Sequence, residues 1–140
     1  MAIVMDVHAL TGFLAAEFAQ VAKDFTVLAV TEALLEVRLN VGTQHLRPGG
    51  TVSGPSMFGL ADVAMYLAIL SRIGPVALAV TTNCSIDFMR KPAAGRALIA
   101  QARVLKLGRV LAVGDVLLFS EGQTAPVARA GLTYAIPPKT

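Results

Sequence analysis

From Met57 to Leu70 every position is apolar or small except Asp62, a carboxylate. Pro55 and Ser56 suit the first turn of a helix and Gly74-Pro75 ends one, so the spacing predicts a helix over about 56–72. Apolar residues occupy every face of that helix, which must therefore be covered around most of its circumference. A chain of 140 residues is one domain's worth and can bury such a core without disulfides or metals. It must do so by wrapping its other elements around the helix.

Those elements are legible as one amphipathic helix and several strands. Leu10, Phe13, Leu14, Phe18 and Val21 recur at helical spacing, predicting a helix over about 6–22. Residues 25–41 alternate as one or two strands, with Leu35, Val37 and Leu39 against Glu36, Arg38 and Asn40. Gly and Pro make 42–55 a loop. Strands then follow over 76–89, 96–107, 110–120 and 124–136, joined by tight turns, which predicts an antiparallel meander. The expected class is α+β, with five to six antiparallel strands curled around the central helix and the whole of 1–140 as one domain. Such a sheet leaves its edge and the mouth of the helix to another subunit, so a dimer is the minimum.

The chain is 55% hydrophobic with a mean hydropathy of +0.66, which raises the question of a membrane. The longest low-charge window is only about 15 residues, where a span needs roughly 20. The N-terminus lacks a basic region and carries Asp6, unlike a secretory signal. A single cysteine, Cys84, excludes an internal disulfide and suits a reducing cytoplasm. In its strand-like setting it is expected to be a small core residue. No membrane partner is expected, and two histidines without paired cysteines offer no metal site.

Charge is uneven. Six of the twelve Lys and Arg lie between 90 and 109 (Arg90, Lys91, Arg96, Arg103, Lys106 and Arg109), whereas only Asp62, Asp87, Asp115 and Glu121 are acidic after residue 39. A basic, largely apolar surface suits a phosphate-bearing ligand with an acyl tail. Solvated strand edges would carry the same charges. Nucleic acid is disfavoured by the absence of Trp and the scarcity of other aromatics for stacking.

An ionised carboxylate is expensive to desolvate unless paired or hydrogen-bonded, so Asp62 invites a chemical role. Gly54, eight residues upstream, stands where the helix begins and where free N–H groups can hold an oxyanion. A carboxylate and a backbone donor together can hydrolyse an acyl bond. Ser53 is not a nucleophile elbow, because Gly50-Thr-Val-Ser-Gly54 has the wrong spacing; it serves better as a helix cap or a donor to substrate.

Ser53-Gly-Pro-Ser-Met-Phe-Gly-Leu-Ala-Asp62, within this order of elements, resembles the hot-dog-fold acyl-CoA thioesterases of the PaaI-like branch. Their pattern is His-Gly-Gly, a short apolar stretch, then Leu-x-Asp, and Gly54, Leu60 and Asp62 match it in register. Thr81-Thr-Asn-Cys-Ser-Ile-Asp-Phe-Met-Arg-Lys-Pro92 is similar to their strand ending in Phe-x-Arg-Pro. Gly95, Arg103-Val-Leu-Lys-Leu-Gly-Arg109 and Glu121-Gly-Gln123 resemble later strand and turn signatures, so the likeness covers about 28–136. It implies hydrolysis of an acyl-CoA with an aromatic or short-to-medium acyl group. Asp62 would be base or nucleophile, contributed across a dimer interface; the Gly54 N–H would polarise the carbonyl and Thr81 would position water.

Substrate contacts are expected from Ser53, Arg47, Met57, Tyr66, Asn83, Arg90 and Lys91, with Phe58 and Met65 also shaping the acyl pocket. Arg90 and Lys91 are first choices for the coenzyme A phosphates, with Arg103, Lys106 and Arg109 in the same pool. No cofactor is implied beyond the coenzyme A of the substrate, and the assembly is expected to be a homotetramer built as a dimer of dimers. The family's His is replaced by Ser53, its second Gly by Pro55, and a frequent upstream Asn by Arg47. Two other readings stand beside this one: an acyl-CoA binder without turnover, and a dehydratase or hydratase using His45. His8 is expected on the surface or as a satisfied core residue.

Overall fold

The structure, a computed structural model, describes residues 2–138. Its centre is helix α2, Gly54–Ile73. The helix begins two residues before Ser56: Ser53 is the N-cap, its Oγ accepting the Ser56 N–H at 3.3 Å, and Pro55 sits in the first turn, where a missing N–H loses nothing. It ends at Gly74, whose φ of 98° lies in the left-handed region and whose N–H reaches the Leu70 carbonyl at 2.9 Å. At 20 residues α2 is long enough to cross a bilayer, yet most of it is buried by its own chain. It is the core helix, and Leu60, Ala61, Ala64, Met65, Leu67 and Ile69 are fully enclosed.

Six antiparallel strands cover it: β1 (Phe25–Val30), β2 (Leu35–Leu39), β3 (Val80–Phe88), β4 (Leu98–Leu107), β5 (Leu111–Ser120) and β6 (Pro126–Ala135). The sheet order is β1-β2-β4-β5-β6-β3. The expected meander therefore holds for β4, β5 and β6 only. Strand β3 does not neighbour β4; α2 carries the chain across the sheet and β3 pairs with β6 at the far edge. Even-numbered residues of β5, from Ala112 to Ser120, face the helix and are buried. Gly114 is required among them, since a Cβ there would collide with Met65 and with the Arg103 carbonyl.

Helix α1, Val7–Glu17, is shorter than periodicity suggests. Asp6 caps it through the Ala9 N–H at 2.9 Å, and Leu10 and Leu14 are its buried side chains. Phe18 is its C-cap, outside helical geometry, and its ring packs edge-on against Tyr66, centroids 5.7 Å apart. Strands β1 and β3 remain as open edges. Along the β3 edge the chain exposes Leu78 (80%), Val80 (56%), Phe88 (53%) and Met89 (45%).

Candidate active site

Asp62 lines an open-mouthed cavity of about 190 Å³ together with Leu14 and Phe18 of the α1 end, Val63 and Tyr66 of α2, Thr81 of β3 and Tyr134 of β6. It is the only carboxylate in the lining. The Thr81 hydroxyl donates to Asp62 Oδ1 at 2.6 Å. The Tyr134 hydroxyl lies 2.5 Å from the same oxygen and 2.9 Å from the Asp62 carbonyl. With one proton to give, it donates to the nearer and charged acceptor.

The sheet puts these two donors side by side. Thr81 and Tyr134 are cross-strand partners in the β3–β6 register. Cys84, Ile86 and Phe88 pair with Leu132, Ala130 and Ala128, so simple alternation along β3 would turn Thr81 to the opposite face. A bulge between Thr81 and Asn83 inserts Thr82 and re-aims Thr81 inward. Asp62 comes to meet the pair from the third turn of α2.

The electrostatics follow from burial and from Asp62. Burial, then the hydrogen bond to Asp62 and its charge, hold the Tyr134 phenol far above its ordinary ionisation range, so it remains a donor. Burial, with Glu17 as a lesser cause, raises the Tyr66 phenol too, and its hydroxyl donates to the Ala77 carbonyl at 3.0 Å. The Cys84 thiol is pushed up by burial and secondarily by Asp62. Cys84 is half-buried on β3 and packs against the core rather than sitting within it.

Gly54 lies elsewhere. With Arg47, Met57, Phe88, Arg90 and Lys91 it lines a second recess of about 490 Å³. As the first residue of α2, its N–H has no partner within the helix. A Cβ at this position would rest 3.5 Å from the Phe88 ring, an ordinary contact. Eight residues of helix separate Gly54 from Asp62, about 12 Å along the axis. One copy of the chain therefore does not bring the two to a single carbonyl.

The remaining expectations divide. Tyr66 shares the cavity with Asp62, while Arg47, Met57, Arg90 and Lys91 share the recess with Gly54. Arg90 also spends one donor on the Pro126 carbonyl at 2.8 Å. Ser53 is occupied as the helix cap, its hydroxyl within 3.2 Å of Ser56 Oγ. Asn83 is exposed beyond the bulge, opposite Thr133, and lines neither space. Met65 shapes no pocket, being fully buried against Gly114, and Phe58 is partly exposed. Arg103, Lys106 and Arg109 belong to β4 and its turn, outside both spaces.

His45 is held as a structural residue. Its Nδ1 accepts the Gly42 N–H at 2.9 Å, its Nε2 is 3.5 Å from Asp24, and it lines neither space. Tyr134 is the residue sequence reasoning missed. The available signal was scarcity: the chain has two tyrosines, and a buried phenol needs a polar partner such as Asp62.

Comparison with known proteins agrees with this architecture. The sequence model of the thioesterase superfamily matches residues 49–127. The acyl-coenzyme A thioesterase PaaI of Escherichia coli (strain K12) is 29% identical over 110 residues, 79% of this chain and 76% of that protein. Its structure superposes with a TM-score of 0.77, covering 96% of this chain and 97% of that one at 26% identity. A Silicibacter sp. TM1040 protein, provisionally named a thioesterase, is 58% identical with a TM-score of 0.92, covering 99% of this chain and 96% of its own. A Streptococcus mutans UA159 protein solved with acetyl-CoA bound is 25% identical with a TM-score of 0.68, covering 82% and 90%. With a helix wrapped by six antiparallel strands and a family match over more than half its length, this chain belongs to the thioesterase superfamily and is a thioester hydrolase of hot-dog fold.

Proposed function

We propose that the substrate is an acyl-coenzyme A, that its acyl group enters the Asp62 cavity, and that the site is completed by the Gly54 helix end of a second copy. One observation carries this: the lone carboxylate of an apolar cavity has Oδ1 tied by Thr81 and Tyr134, while Oδ2 has no partner within the described chain. An oxygen so presented removes a proton from water as the water attacks the thioester carbon. The carbonyl oxygen gains negative charge against the Gly54 N–H and the positive end of α2. The C–S bond then breaks, and the thiolate recovers the proton from the Asp62 carboxyl. Attack by Oδ2 itself, with water cleaving the resulting anhydride, uses the same geometry.

Thr81 gives its proton to Asp62, so it meets the attacking water as an acceptor. An apolar cavity of about 150 Å³ accommodates a benzene ring, so about 190 Å³ beside Phe18 and Tyr66 suits an aromatic or short-to-medium acyl group. Arg47, Arg90 and Lys91 surround Gly54, where the phosphates of a coenzyme A entering from that side would be met. The second copy docks along β3, whose unpaired backbone and exposed Leu78, Val80, Phe88 and Met89 need cover. A tetramer forms when the outer faces of two sheets meet through half-buried Val113, Leu117 and Phe119.

The test is thiol release from aromatic and C2–C16 acyl-CoAs by the wild type and Asp62→Asn. Loss of turnover in the variant supports the carboxylate mechanism and identifies the acyl class. Turnover that survives the substitution sinks it.

A further inference from the structure

We infer that Tyr134 is a positioning residue: it fixes the Asp62 carboxylate so that Oδ2 alone is presented to substrate. This rests on the role given to Asp62 above. The two donors converge on one oxygen from adjacent strands, 2.6 Å from Thr81 and 2.5 Å from Tyr134. A carboxylate with one hydrogen bond can still rotate about its Cβ–Cγ bond; two donors on the same oxygen define which oxygen faces the cavity. Tyr134 has little freedom of its own. It is 2% exposed, its ring lies 6.0 Å from that of Tyr66, and the β3–β6 register sets its Cβ opposite that of Thr81.

The chain of contacts extends further. Phe18 packs on Tyr66, Tyr66 on Tyr134, and Tyr134 on Asp62, so a continuous line of contacts joins the cavity wall to the carboxylate within it. The phenol transfers no proton in the reaction. It is held un-ionised through the cycle and acts only by where it holds Asp62.

The experiment compares wild type, Tyr134→Phe, Thr81→Val, the double variant and Asp62→Asn on one acyl-CoA. Phe preserves the buried ring, and melting curves verify folding. A hydrogen bond to a charged group amounts to about 10- to 100-fold, so Tyr134→Phe should lower kcat by that factor with KM nearly unchanged. The double variant should depart from the product of the single effects, since both donors serve one oxygen. Unchanged kcat, or a rise in KM alone, in Tyr134→Phe overturns the positioning role while a dead Asp62→Asn leaves the mechanism standing. Turnover persisting in Asp62→Asn reports the separate failure of that mechanism.

Discussion

The Asp62 cavity and the Gly54 recess lie on one helix and are built on opposite principles. The cavity is made by internal packing: aromatic and aliphatic walls from α1, α2, β3 and β6 flank one carboxylate whose donors come from inside the fold. The recess is made at a helix terminus, larger and ringed by Arg47, Arg90 and Lys91. The first suits an apolar acyl group and a base; the second suits an oxyanion and phosphates. Eight helical residues hold their defining residues about 12 Å apart, so in the proposed mechanism a carbonyl that touches both lies between two copies. On that proposal the fold carries two half-sites, which the symmetry of a dimer would make two whole ones.

Several measurements can break or sharpen that contrast. The largest effect is expected for Asp62→Asn, a loss on the order of 10³-fold in kcat with acyl-CoA binding kept. Gly54→Pro removes the N–H and should lower kcat by about 10²-fold, with melting curves to verify that the helix start, where Pro55 follows, stays folded. Co-refolding these two inactive variants gives a direct outcome: mixed dimers hold one site with neither defect, so activity should reappear. No recovery in dimers shown to be mixed would overturn the site shared between copies.

Smaller changes separate binding from chemistry. Arg47→Ala and Lys91→Ala should raise KM by about 10-fold with kcat preserved, an effect that shrinks as salt is added. Met65→Ala should cost about 2–5 kcal/mol in denaturant titration without altering acyl preference, because Met65 is core. Tyr66→Ala, by contrast, should change the acyl preference. The smallest effect concerns Cys84, whose thiol is raised by burial first and by the Asp62 charge second. Alkylation should therefore begin at higher pH than for a free cysteine, and at somewhat lower pH in Asp62→Asn than in wild type.

Much of this was legible in the residues. Helix α2 was predictable because its end signals are local and its apolar residues leave no face for water. Asp62 stood out for the same reason, as the one charge that such a helix must accommodate. Strands β4, β5 and β6 followed from alternation and tight turns. The end of α1 was not legible, since Phe18 fits a helical stripe and an aromatic contact with Tyr66 equally well in sequence. Asn83 illustrates the same limit within a strand: one inserted residue, Thr82, decides which neighbours face inward.

The sequence by itself determined a mostly buried helix, the strands that must cover it, and a carboxylate and helix start whose chemistry suits acyl hydrolysis. Each of these depends on periodicity, capping and charge, which act over a few residues. Only the tertiary structure decided that β3 lies beside β6, that a bulge turns Thr81 toward Asp62, that Tyr134 joins it there, and that Gly54 faces a different recess. Those outcomes depend on pairing between segments some 50 residues apart. Periodicity reports which face of a segment is covered; it carries no information about what covers it.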